Sequence, residues 1–150
     1  VIYLGADHRG FELKEKLKVF LKEEGYEFED LGNHTLDPTD DYPDFGAKVA
    51  EKVFEDPNNN RGILLCGSGV GMDIVANKFR GVRSAVVWGD DETLVKQSRQ
   101  HNDSNVLSLP ANHLTEKQAK KIVKLWLETS FSGEERHQRR IQKIEELESR

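Results

Sequence analysis

Gly62-Ile63-Leu64-Leu65-Cys66 runs without a break into Gly67-Ser68-Gly69-Val70-Gly71. An unbroken apolar run suits a strand covered on both faces, since a half-exposed strand would alternate. The glycines then turn the chain tightly into a helix reaching about Lys78. A strand that feeds a helix this way is the repeating unit of a parallel α/β sheet.

The rest of the chain repeats that alternation. Val1 to Leu4 is a short apolar run ending at Gly5. Leu13, Leu17, Phe20 and Leu21 share one helical face, and Gly25 stops that helix. Tyr26 to Leu31 alternates like a half-buried strand. Asn33 to Asp41 reads as a loop, and Asp44 as the cap of a helix with Phe45, Val49 and Val53 on one face. Asp56 to Asn60 is a turn. Ser84 to Trp88 and Asn105 to Leu109 are further strands, the second closed by Pro110. Asp90 and Asp91 are cap candidates. Thr115 and Gln118 have capping-box spacing before Ala119, Ile122, Val123, Trp126 and Leu127. A last helix starts near Gly133 and carries Ile141, Ile144 and Leu147, a stripe open to its own chain or to a partner subunit. The expected fold is α/β, with a five-stranded parallel sheet, right-handed crossovers and an extra C-terminal helix.

Length and charge narrow the classes. The 150 residues fit one domain, expected to span 1–150. A net charge of −5 argues against a general nucleic-acid binder. The lone cysteine, Cys66, excludes an internal disulfide and makes a cysteine zinc site implausible. No apolar run is long enough for a membrane span, and no basic leader precedes Val1. A cytoplasmic protein is the expectation.

In such a sheet, ligands gather at the carboxyl ends of the strands. Three polar clusters are expected there: Asp7-His8-Arg9, Cys66 with its glycine loop, and His101-Asn102-Asp103. Gly67, Gly69 and Gly71 allow backbone N–H groups to converge on an anion. Met72 stands where a dinucleotide fingerprint needs glycine, and no Gly-Lys-Ser/Thr follows, so a small oxyanion suits the loop better than a nucleotide. A helix N-terminus favours a thiolate at Cys66 by about 0.3–2 kcal/mol. A lone buried cysteine is more often inert packing. His8 and His101 are acid–base candidates near neutral pH, or ordinary surface histidines. Asp7 binds sugar hydroxyls or caps a helix. No metal-binding spacing is present. Arg136 and Arg140 share a helix face and offer forked donors to a phosphate, or pair with nearby glutamates.

Together these strings resemble the type B ribose-5-phosphate isomerase family, which includes galactose-6-phosphate isomerase subunits. They are Gly5-Ala6-Asp7-His8-Arg9-Gly10-Phe11, Asp41-Tyr42-Pro43, Leu65 through Met72, Ala76-Asn77-Lys78, Ser98-Arg99-Gln100-His101-Asn102 and Arg136-His137-Gln138-Arg139-Arg140-Ile141. The resemblance covers essentially the whole chain. It implies a Rossmann-like three-layer sandwich. It also implies a homodimer with shared sites, and leaves open whether dimers pair into tetramers. The implied reaction interconverts an aldose phosphate and a ketose phosphate without metal or organic cofactor. By the same resemblance Cys66 is the base, His101 assists ring opening, and Ser68 relays protons or binds a sugar oxygen. The amides of Gly67 to Gly71 and Asn102 hold the enediolate. Asp7, His8 and Tyr42 contact the sugar, and Arg136 and Arg140 reach the phosphate, one or both from the partner.

The chain departs from that family in one respect. Ala111-Asn112 stands where the family often has a Gly-Arg pair for the substrate phosphate, leaving Arg9 or His113 to compensate. Met72 replaces the glutamate base of another branch, while Cys66 is present. A five-carbon sugar phosphate is the leading substrate expectation. The alternatives are a six-carbon sugar phosphate, a non-catalytic sugar-phosphate sensor and a nucleotide-binding module.

Overall fold

The computed structural model describes residues 1–150. Along the chain come β1 (Ile2–Ala6), α1 (Phe11–Glu23), β2 (Phe28–Asp30), α2 (Tyr42–Glu55), β3 (Arg61–Cys66), α3 (Val70–Ala76) and β4 (Ser84–Val86). They are followed by α4 (Glu92–Gln100), β5 (Val106–Pro110), α5 (Glu116–Glu128) and α6 (Glu135–Glu148). All strands are parallel, in the order β2-β1-β3-β5-β4.

Strand pleating sorts the apolar residues into two cores. Ile63 and Leu65 face one side, with Leu4, Leu107 and Leu109, and meet Leu17 and Leu21 of α1, Val95 of α4 and Trp126 of α5. Leu64 and Cys66 face the other side and meet Val49 and Val53 of α2 and Met72 and Ala76 of α3. The result is the expected three-layer, Rossmann-like α/β sandwich. Trp126 is fully buried, and its indole N–H donates to Ser104 Oγ at 2.9 Å. The Thr115–Gln118 capping box starts α5 as its spacing predicts.

One charge lies inside the sheet-covering layer. Lys14 of α1 is fully buried. Its ammonium donates to Asp30 Oδ1 and Oδ2 at 2.8 and 2.7 Å and to the Asn33 carbonyl at 2.6 Å. A buried ammonium is tolerated when its donors are filled in this way.

Several boundaries differ from the sequence expectation. The outer strands β2 and β4 pair over only three residues each, shorter than Tyr26–Leu31 and Ser84–Trp88, because edge positions lack a second neighbour. Asp44 does not cap α2. The helix begins earlier, at Tyr42, with Asp41 at the cap position and Pro43 in the first turn, where its fixed φ suits a helix start. Asp91, not Asp90, caps α4, accepting from the Leu94 N–H at 3.1 Å.

The extra C-terminal helix is present. Its buried residue is His137, while Ile144 and Leu147 are exposed. Glu148 ties its far end back to the chain by accepting from the Gly81 N–H at 2.9 Å. No helix is long and apolar enough to cross a membrane.

Candidate active site

The sheet order creates a crevice. β1 and β3 are neighbours, but β1 continues into α1 on one face and β3 into α3 on the other. Their carboxyl ends therefore diverge, and loops at such a switch point enclose a ligand-sized gap. A cleft of about 500 Å³ opens there, lined among others by Asp7, Arg9, Tyr42, Cys66, Ser68 and Asn112.

Cys66 is the last residue of β3 and almost wholly buried at the cleft floor. Its Sγ accepts from the Gly69 N–H at 3.2 Å. Gly69 reaches that position with φ of 76°, a left-handed conformation open to glycine at little cost. The amide thus aims the positive end of its dipole at the sulfur. Ser68 Oγ accepts from the Val70 N–H at 3.3 Å, which fixes its hydroxyl at the rim. The Tyr42 ring lies over Gly71, so closely that a Cβ there would be 2.5 Å from Cε1.

Asp7 is buried at the end of β1. Its Oδ1 accepts from the N–H groups of Arg9 and Gly10 at 3.0 and 3.1 Å. Burial raises its carboxyl pKa above the usual range, and those two hydrogen bonds only partly offset the rise. His8 is turned to Asp40: Nδ1 lies 2.7 Å from Asp40 Oδ1, which also accepts the His8 backbone N–H at 3.0 Å. Burial of Asp40 works against ionisation, but hydrogen bonds from His8 and Asn33 outweigh it and hold this carboxyl below the usual range. Ligand atoms of Asp7, His8 and Asp40 lie within 4.8 Å of one another. Oxygens of both carboxylates are already engaged by backbone and imidazole donors, so the trio reads as a brace for His8 rather than a metal cage.

Asp40 escaped the sequence reading, because its partner is distant in the chain and its own neighbourhood is a polar loop. Asn112 entered it only as a missing arginine. Its N–H bonds the Gly67 carbonyl at 3.0 Å and holds it at the cleft. His113 instead packs against Trp88, with ring centroids 5.5 Å apart, and does not line the cleft.

The third cluster is not at the carboxyl ends. His101 caps the C-terminus of α4, immediately before β5. In a parallel sheet a segment that leads into a strand lies at the strand's amino end. The Ser104 carbonyl accordingly accepts from Arg61, the first residue of β3, and the Asn102 carbonyl accepts from Arg83, just before β4. Along β3, six residues long, that end is about 17 Å from Cys66.

At this far end α6 joins His101 to the arginines. His137 stacks on His101, with centroids 4.3 Å apart and planes 16° apart. Burial, followed by the proximity of His101 and Arg136, pushes the His137 pKa down and favours its neutral ring. Arg136 is bound to Glu134 at 3.0–3.1 Å, while Arg140 makes no ion pair. One chain thus brings together Cys66, Ser68, Asp7, His8, Tyr42, Gly67, Gly69 and Gly71. It separately gathers His101, Asn102, Arg136 and Arg140 at the opposite end of the sheet.

A thiol under an inward N–H, beside a buried carboxylate and a phenol, can take and return a carbon-bound proton. Proteins of known kind share this arrangement's frame. A Mycoplasma genitalium ribose-5-phosphate isomerase B, solved with bound ribulose-5-phosphate, is 41% identical, with a TM-score of 0.94 over 99% of this chain and 95% of that one. The Clostridium thermocellum ribose-5-phosphate isomerase B structure is 43% identical, with a TM-score of 0.91 over 99% and 97%. Ribose-5-phosphate isomerase B of Mycobacterium tuberculosis is 39% identical over 98% of this chain and 89% of its own. The sequence pattern described as Ribose/Galactose Isomerase matches residues 2–144, which take in the whole sheet and most of the last helix, and the chain belongs to that family.

Proposed function

We propose that residues 1–150 act as one sugar-phosphate isomerase domain that interconverts ribose 5-phosphate and ribulose 5-phosphate. The observation that carries this reading is Cys66 Sγ at the switch-point cleft, under the Gly69 N–H and beside Asp7 and Tyr42. The relatives' names point to the same reaction.

The Cys66 thiolate removes the proton from C2 of the open-chain aldose. The electron pair moves into the C1–C2 bond, and negative charge develops on O1. The amides of the Gly67–Gly71 loop, with Asn102, stabilise that enediolate. Such preorganised donors each lower the barrier by about 3–4 kcal/mol, so a weak base is sufficient. Ser68 relays the hydroxyl proton from O2 to O1, and the cysteine thiol returns its proton to C1. His101 opens the ring by moving a proton from the anomeric hydroxyl to the ring oxygen. Asp7, His8 and Tyr42 hold the sugar, while Arg136 and Arg140 hold the phosphate.

These roles require a homodimer. One chain separates His101, Asn102, Arg136 and Arg140 from Cys66 by the length of the sheet, so a second copy supplies them to each cleft. No metal or organic cofactor takes part in these steps, and the proposed setting of the reaction is the cytoplasm.

A panel of pentose and hexose phosphates, with isomer products resolved by NMR, tests the reading. Ribose 5-phosphate should be converted, and Cys66→Ala should abolish conversion. Failure of the wild-type protein to isomerise any sugar phosphate would overturn it.

A further inference from the structure

We infer that Arg9 anchors the phosphate end of the substrate from the same subunit that carries Cys66. This inference rests on the isomerase reading above and adds a specificity-determining residue to it. Arg9 is the only cation lining the cleft. Its backbone N–H is fixed by Asp7 Oδ1 at 3.0 Å, which sets the residue at the cleft edge. Its guanidinium makes no hydrogen bond or ion pair with the protein. Arg136 and Arg139 of α6, by contrast, pair with Glu134 and Glu135. Glu12 and Glu116 line the neighbouring depression with Arg9, yet neither engages it.

The loop has a gap shaped for this side chain. A Cβ on Gly67 would lie 2.9 Å from Arg9 Cδ and 2.8 Å from Asn112 Nδ2. The missing side chain at 67 is therefore what lets the Arg9 stem and the Asn112 carboxamide converge over the thiol-bearing loop. A guanidinium fork beside a carboxamide presents several N–H donors to one oxyanion, the geometry that a phosphate dianion selects. On a chain of net charge −5, an unpaired cation here also offsets the repulsion of an anionic substrate. Arg136 and Arg140 reach this cleft only from a second copy, whereas Arg9 is already in place.

The test uses Arg9→Ala and Arg9→Lys, with melting temperatures confirming that both fold. Arg9→Ala should raise KM for ribose 5-phosphate about tenfold to a hundredfold, with kcat within about twofold of wild type. The inhibition constant of inorganic phosphate should rise by a similar factor, and Arg9→Lys should recover part of both. Unchanged KM and phosphate inhibition, or a fall in kcat alone, would overturn the assignment. Calorimetric titration with inorganic phosphate separates this outcome from failure of the isomerase reading. Binding that is lost in Arg9→Ala supports the anchor even if no sugar is turned over, and equal binding by both proteins refutes it.

Discussion

The proposed division of the site between two subunits predicts that two inactive variants repair each other. Cys66→Ala removes the proposed base at the carboxyl end of β3. His101→Ala removes the proposed ring-opening group at the amino end, about 17 Å away along β3. Each alone should reduce turnover of the cyclic sugar phosphate by about a hundredfold or more, as expected for loss of a positioned acid or base. In a dimer of one variant chain with the other, one cleft carries both defects and its twin carries neither. Random pairing makes about half the dimers hybrids, so co-expressed variants should regain about a quarter of wild-type activity. That is a gain of roughly twenty-fivefold over either parent. The assay is turnover of co-expressed, differently tagged chains, with hybrids isolated by sequential affinity steps. Purified hybrids with no more activity than their parents would refute the shared site and place the histidine's role elsewhere.

Two further changes probe the cleft and its foundation. Gly71→Ala sets a methyl 2.5–2.6 Å from the Tyr42 ring, which must swing away, so kcat/KM should fall about tenfold to a hundredfold; an unchanged value would show that Tyr42 does not hold substrate. Asp30→Asn strips the counter-charge from the fully buried Lys14 and should cost about 3–5 kcal/mol in urea unfolding. Burial alone would raise the Asp30 pKa, but hydrogen bonds from Lys14, Lys18 and Gly32 outweigh it and the folded value lies below the ordinary 3.8. The unfolded chain therefore binds this proton first. The wild-type contribution is complete above the unfolded pKa and disappears as pH falls through the folded one, whereas Asp30→Asn should show a flatter profile in that acid window. Parallel stability curves below about pH 4 would count against the pair.

Local signals carried most of the fold. The run into Cys66, the helical face of Leu13, Leu17, Phe20 and Leu21, and the Thr115 capping box each need only neighbouring residues to be read. The cleft floor was legible for the same reason, since Cys66 and Gly69 are three residues apart. What escaped depends on contacts distant in sequence. Asp40 meets His8 from 32 residues away, and Arg9 meets Asn112 across Gly67. His101 illustrates a different failure. It stood out as an acid–base candidate, but its end of the sheet follows from the direction of α4 relative to β5. Asp44 lost the cap position because Pro43, one residue before it, already suits the first turn.

The pleat of β3 gives the protein a built-in parity. Leu65 and Cys66 are adjacent yet belong to different cores, so sliding this strand by a single position would turn the sulfur under α1 and α5 and present leucine to the cleft. Misfolded chains with a shifted central strand would thus be wholly inert rather than partly impaired. Specific activity per mole of total chain becomes a direct count of correctly threaded molecules.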